Sequence, residues 1–412
     1  MQAQADHLRT EYDIAVIGGG MVGIPLSIGL AHSGFSVLLL EKFPIKANAQ
    51  PQTVHNSFDS RSTALSLGSI EILKDLDLWD ADSVQANPIN TVHVSEQGRM
   101  GTTRIAKTDL QLDALGYVVP NMAFGQYLSS QLLDSKVDVL DGANVSQVVM
   151  HDTHAQLIVA RDNGGAQELK AKLVIAADGA NSPTAQGLGI EYQIKSYEQF
   201  AIVANVETEL PNEGVAFERF ARTGPSALLP LTIDTSALVW TLSEQDAEAA
   251  MKLNERDFAD KVARLFGDRL GRILNVSKRV SYPLTLKQAK EPVRSRFVVV
   301  GNAAHSLHPV AGQGFNLALR GVAGVIEGLR QSSRDAYWSY SVLQNIAQQH
   351  QPEQRKIVSF SDQLIDVFSP ESHIPALARS AGLVTLNGLS QLKSEFAKHA
   401  MGRAQTFDLE RA

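Results

Sequence analysis

Cysteine is absent from the 412 residues. Disulfide scaffolds, thiolate-ligated zinc, iron–sulfur clusters and a cysteine nucleophile are therefore excluded. There is no excess of positive charge. Lys and Arg number 37 against 44 Asp and Glu, a net −7, so the basic footprint of a nucleic-acid binder is missing. No apolar run approaches the ~18 residues of a membrane-spanning helix; contact with a membrane would come from the side. No G-x-S-x-G elbow is present, which argues against an α/β-hydrolase. Internal repeats and low-complexity blocks are also lacking. The first residues, Met1 to Glu11, are polar and contain no apolar core. A secretory leader is not expected, and a cytoplasmic location is.

What remains is ordinary for a globular chain: 44% apolar and 20% charged residues. At roughly 150 residues per domain, the length predicts two to three domains. Tyr12 to Ile17 is a short, β-branched apolar run, read as a buried strand. It stops at Gly18-Gly19-Gly20. Helical spacing follows through Val22, Leu26 and Leu30 and ends at Gly34, and Ser36 to Leu40 is a second buried strand closed by Glu41. This β-turn-α-β order opens a doubly wound parallel sheet. Periodicity predicts a helix over 62–79, another near 123–133, and strands near 145–150 and 155–160. Asn163-Gly164-Gly165 reads as a hairpin turn. Leu173 to Ala177 and Phe297 to Val300 are further buried strands. Between them, 197–243 holds several short strand candidates of an antiparallel sheet, and 246–266 reads as helical. From 336 to 402 the pattern is helical.

The fold class expected is thus α/β. A doubly wound parallel-sheet nucleotide-binding domain (12–90, 112–183 and 278–335) would carry an inserted antiparallel-sheet domain (91–111 and 184–277). A C-terminal helical region would span 336–412.

Gly18-x-Gly20-x-x-Gly23 follows a strand and opens a helix. The first Gly permits the tight turn, the second lets a pyrophosphate approach the backbone, and the third lets helix and strand pack closely. The helix N-terminus presents free N–H groups and partial positive charge to phosphates. Glu41 stands at the end of the next strand, where a carboxylate accepts ribose hydroxyls and would repel a 2′-phosphate. The fingerprint alone leaves FAD and NAD open.

Two later segments bear on that choice: Ala177-Asp178-Gly179-Ala180-Asn181-Ser182, and Gly301-Asn302-Ala303-Ala304-His305-Ser306-Leu307-His308-Pro309 with Gly312-Gln313-Gly314-Phe315-Asn316-Leu317. With the fingerprint, they resemble the three cofactor motifs of the single-component FAD-dependent aromatic hydroxylases, the p-hydroxybenzoate hydroxylase-like family. Four more segments resemble the ubiquinone-biosynthesis hydroxylase subgroup. They are Asp59 to Leu65, Tyr197 to Val206, Ala216 to Phe220 and Gly224 to Leu231. Within it the chain is most similar to enzymes acting on a 2-polyprenyl-6-methoxyphenol.

The resemblance implies FAD as bound cofactor, NADPH or NADH as transient reductant and O2 as co-substrate. It implies hydroxylation of the ring of a lipophilic phenol through a flavin C4a-hydroperoxide. It also implies that Gly301, Asn302, Gly312, Gln313, Gly314, Phe315 and Asn316 meet the ribityl and flavin end, and that Asp178 and Gly179 lie near the pyrophosphate. A smaller soluble aromatic as substrate, or a non-catalytic flavin-binding scaffold in a quinone-biosynthesis complex, are the alternative readings.

Two features depart from the family pattern. The third motif usually begins Gly-Asp, and here reads Gly301-Asn302; Asn keeps an acceptor and adds a donor. The Asp-Gly motif is often followed by Arg, and Pro183-Thr184-Ala185 offers none.

Several single residues carry two readings. Arg61 is expected near the cofactor phosphates or the active-site entrance, against an ordinary surface arginine. Gln126 is expected to face the cofactor, against a solvated helix face. His305 is expected to line the flavin pocket, with a structural histidine as the equal alternative, and Pro309 to form a rigid turn beside the ring. His305 and His308 lack a third ligand, so no metal is expected. Val203, Asn205 and Glu207 alternate and could lie over a substrate, although half-buried sheet also explains them. Leu383, Leu386, Leu389, Leu392 and Phe396 form an apolar stripe with Arg379, Lys393, Lys398 and Arg403 beside it. Residues 376–404 would meet a membrane surface or partner helix, or pack on the protein's own core.

Overall fold

In a computed structural model, residues 8–46, 61–161, 165–306, 312–368 and 376–388 are described. The first sheet runs, in spatial order, Val293–Arg294, Phe297–Val299, Ala166–Ala176, Glu11–Ile17, Val37–Leu40, Asp138–Leu140. Its central neighbours pair in parallel, with Ile14 opposite Leu173 on one side and Val37 on the other. Both faces are covered. Ile14 and Val16 belong to one apolar core and Ala15 and Ile17 to another. That double burial is why these strands read as unbroken apolar runs. Strands Ala143–Met150 and Ala155–Arg161 extend this sheet as antiparallel neighbours. The hairpin turn expected at Asn163-Gly164-Gly165 falls largely outside the described residues.

The second sheet is nine-stranded and mostly antiparallel, with one parallel pair, Val215–Ala221 against Thr91–Glu96. Its outer face is covered by helices Glu244–Met251 and Glu255–Phe266. The sequence read these as one helical stretch. They are separate because Asn254 caps the second, its side chain accepting from Asp257 N at 2.8 Å. Strand Val280–Ala289 also lies in this sheet, whereas the expected boundaries put 278–289 with the nucleotide-binding part. The long strand Tyr192–Thr208 is interrupted between Ser196 and Gln199, where Glu198 takes φ +56°.

A third, three-stranded sheet joins Ser62–Ser66, Gly116–Pro120 and Asn87–Pro88. It corrects the helix expected over 62–79. Residues Ser62–Ser66 are a strand paired with Gly116–Pro120. Helix Leu67–Asp75 begins only after Ser66, whose side chain caps it. No helix among the described residues is long and apolar enough to cross a membrane.

Candidate cofactor and substrate site

The strand Glu11–Ile17 ends at Gly18, which turns at φ +106°. A Cβ there would stand 2.6 Å from the Ala177 carbonyl oxygen, and one on Gly23 would stand 1.8 Å from the Gly18 oxygen. Only glycine fits both places, so the first turn of helix Gly23–His32 presses against the strand end. Gly18 N donates to Leu40 O at 2.8 Å and Ala177 N to Ile17 O at 2.8 Å. Three strand ends are thereby tied at one edge of the parallel sheet. Glu41 follows the second strand and is buried. Its carboxylate accepts hydrogen bonds from Gly19 N and from Phe43 N. The oxygens brace the glycine turn, and Glu41 lines the cavity.

Asp178 Oδ2 accepts from Thr184 N at 3.2 Å. Its Oδ1 is buried on the cavity wall with no hydrogen-bond partner among the described residues. Gly179 beside it has φ +90° and nothing within 4 Å of an added Cβ.

The third motif hangs on Val300, whose N donates to Ala176 O at 2.9 Å. Gly312, at φ +63°, starts helix Gln313–Gln331. The helix thus opens inside the third motif, ahead of Phe315. Asn316 is buried and fully engaged. Its Oδ1 accepts from Ser66 N (2.8 Å) and Ser69 Oγ (2.7 Å). Its Nδ2 donates to Ala64 O (2.9 Å) and Gly312 O (2.7 Å). This side chain locks the third motif to the three-stranded sheet. A Cβ on Gly314 meets nothing within 4 Å, leaving the helix N-terminus open to the cavity.

These parts enclose one cavity of about 1080 Å³, slightly above the ~300–1,000 Å³ of small-molecule sites. Of the expected residues, Gly18, Gly20, Glu41, Arg61, Asp178 and Gly179 line it. So do Asn302, Gly312, Gln313, Gly314, Phe315 and Asn316. Arg61 also lies over the Tyr282 ring, 5.2 Å from its centroid. Gly23 and Gly301 sit behind the wall, Gly301 against Val22. Gln126 is half-buried on helix Asn121–Leu133 and is not part of the wall.

His305 is also off the wall. It is buried on the short strand His305–Ser306, with Nδ1 2.9 Å from Gln354 Nε2. Burial pushes its pKa down to about 4, so the ring is neutral at ordinary pH. Pro309 and His308 lie outside the described residues. Val203, Asn205 and Glu207 do not line the cavity. Their strand is one step too far out in the sheet, and Val239, paired with Val203, reaches the wall instead.

The sequence reading missed the opposite wall. Val92, Val94, Ile105, Ala216 and Phe220 present one apolar face of the antiparallel sheet to the cavity. The period-two pattern in 91–96 was a signal for it. It also missed Asn121, which lines the cavity and accepts from Thr63 Oγ1 at 2.7 Å. Arg379, read as part of a basic flank, turns inward to Glu96 at 2.6 Å with both side chains nearly buried. Of the apolar stripe, the side chains of Leu383 and Leu386 and residues 389–404 fall outside what is described.

A glycine turn on a parallel-sheet edge, a carboxylate after the second strand and a large, mainly apolar cavity define a dinucleotide-cofactor protein with room for a second molecule. Residues 11–336 match the family described as an FAD binding domain, and the chain belongs to that family. It is 32% identical to the ubiquinone hydroxylase UbiL of Rhodospirillum rubrum, over 95% of this chain and 89% of that protein. It is 33% identical to the 3-demethoxyubiquinol 3-hydroxylase of Escherichia coli, over 95% of this chain and 98% of that one. The p-nitrophenol 4-monooxygenase PnpA from Pseudomonas putida shares the fold with a TM-score of 0.79. That match has 18% identity and covers 97% of this chain and all of that one. FAD fits the residues present. The glycine turn leaves no room for side chains where phosphates approach, Asp178 Oδ1 is an acceptor awaiting a donor, and Gly314 opens a helix N-terminus to the cavity.

Proposed function

We propose that this protein is an FAD-dependent monooxygenase that hydroxylates the ring of a polyprenylated methoxyphenol in ubiquinone biosynthesis. The observation that carries the reading is the continuity of one cavity from the three cofactor motifs to the apolar face of the antiparallel sheet. The relatives, one named a ubiquinone hydroxylase and the other a 3-demethoxyubiquinol 3-hydroxylase, support a lipophilic phenolic substrate.

When bound and reduced by NADH or NADPH, FAD supplies the activation of O2 for transfer to an electron-rich ring. The protein's own groups bind, orient and keep water out. Gly18, Gly20 and the N-terminus of helix Gly23–His32 would hold the pyrophosphate through backbone N–H groups. Glu41 would take the ribose hydroxyls and Asp178 the donors that its Oδ1 lacks. Gln313 to Asn316 would offer N–H groups to the ring's polar edge, where the helix dipole favours negative charge. Val92, Val94 and Ile105 would exclude water from the reacting ring. The apolar wall suits a lipophilic phenol, and substrate collection from a membrane surface goes with such a substrate.

The test is to load the protein with FAD and follow oxidation of NADH and NADPH, O2 uptake and product with a prenylated methoxyphenol. Stimulated oxidation with a hydroxylated product is expected. Oxidation without product would sink the hydroxylase reading, and product from small soluble phenols alone would overturn the substrate class.

A further inference from the structure

The far end of the cavity is built in layers across the antiparallel sheet. Val92 pairs with Ile105 and Ala216; Val94 pairs with Thr103 and Glu218; Glu96 pairs with Phe220. Period-two alternation puts all of these on one face. The first layer abuts the third cofactor motif. Leu115 N donates to Ile89 O, and Gly116 pairs with Ser66, whose N donates to Asn316. From Val92 to Glu96 the face runs about 13 Å at ~3.3 Å per strand residue. The cavity therefore runs from beside the cofactor motifs to Phe220, Arg379 and Gly382, with Glu96 buried behind that far wall.

That end is closed by two segments remote in sequence. Phe368 stacks on Phe220 with ring centroids 3.9 Å apart. Helix Ala376–Gly388 lies on the hairpin beyond Glu96, so close that a Cβ on Gly101 would stand 2.6 Å from the Ser380 Cα. Arg379 bonds Glu96 through Nη2 (2.6 Å) and Nε (3.2 Å). Glu96 Oε2 is buried without a hydrogen-bond partner among the described residues. Ala378 and Gly382, one turn apart, give the helix a small-residue face toward the cavity. An apolar plug would close such a channel without the desolvation cost of an ion pair. A charged pair differs in that both groups would regain hydration on separation.

We infer that the Glu96–Arg379 pair and the Ala378–Gly382 face form the opening through which an apolar tail on the ring leaves the cavity, and that this opening sets the preference for tail length. The inference rests on the hydroxylase reading. With the ring beside the cofactor motifs, a short tail ends among Val92 and Val94, and a long one must pass between Glu96 and the helix.

The test is Gly382→Phe. A Cβ at Gly382 meets nothing within 4 Å, so a side chain can start there without collision, and a Phe ring would narrow the opening. Values of kcat/KM are compared for a methoxyphenol with no tail and one with a long polyprenyl tail. The ratio of long-tail to tail-less kcat/KM should fall about tenfold. An unchanged ratio overturns the inference. If the wild-type protein turns over neither phenol, the hydroxylase reading has failed by itself. Binding of a fluorescent long-chain polyene alcohol then decides. Weaker binding in Gly382→Phe sustains the opening, and equal binding in both proteins overturns it.

Discussion

The two ends of the cavity are made in opposite ways. At the cofactor end the constraint is on backbone: Gly18, Gly23 and Gly312 stand where a side chain would collide or strain, against the Ala177 carbonyl, the Gly18 carbonyl and Ala64. At the far end the walls are side chains, and the decisive contact joins Glu96 to Arg379, 283 positions apart. The first construction tolerates almost no change and holds an invariant cofactor. The second can vary its side chains while the sheet stays in place, which suits a substrate-specific pocket.

The largest expected effect breaks the backbone-built end. Gly23→Val puts carbon against the Gly18 carbonyl and should exceed the ~1–3 kcal/mol of ordinary overpacking. Loss of flavin absorbance together with a collapsed melting temperature is the expected result. Asn316→Ala comes next, because four hydrogen bonds to Ser66, Ser69, Ala64 and Gly312 disappear at a buried site. At about 1 kcal/mol for each lost bond, stability should fall by about 4 kcal/mol in urea unfolding. A loss below about 1 kcal/mol would mean that the third motif is not held by this side chain.

Much of the cofactor end was legible because its information is local. The strand, the glycines, the helix and Glu41 follow one another within 30 residues, and each obeys a steric or electrostatic rule. The parallel sheet was legible for a related reason, since burial on both faces erases polar positions. The helix read over 62–66 failed because apolar residues there serve a strand whose partner, Gly116–Pro120, is some 50 positions away. Whether His305 lined the flavin pocket or served structurally was open in the sequence, and only the fold shows it on a short strand with Nδ1 engaged with Gln354. The far wall was half legible as alternation in 91–96. Arg379 was not legible at all, because charge and spacing cannot tell a solvated arginine from one folded onto a buried glutamate.

His305 sharpens the comparison from the seam between the two sheets. The unfolded chain binds a proton as pH falls through the ordinary value of 6.5, whereas the folded ring resists until about 4. Stability from the neutral ring is therefore complete above pH 6.5 and is lost as pH falls toward 4, about 3 kcal/mol in all. Melting temperatures measured across that window should drop in the wild type and drop less in His305→Asn. Equal slopes would remove His305 as the source.

The smallest effect on stability is expected from Gly314→Ala, since its Cβ has open space at the helix N-terminus. Thermal stability should hold or rise by under about 1 kcal/mol, while FAD affinity by titration should fall, since the proposed seat of the flavin's polar edge is at Gln313 to Asn316. Unchanged affinity would separate Gly314 from the cofactor.

The central claim is that the cavity brings a reduced flavin and a lipophilic phenol together so that one atom of O2 reaches the ring. Mass spectrometry of the product formed under heavy-isotope dioxygen, with FAD, NADPH or NADH and a prenylated methoxyphenol, tests it most directly. The account predicts a ring-hydroxylated product that carries one labelled oxygen. A product bearing oxygen from water, or NAD(P)H consumed with no labelled product, would contradict it.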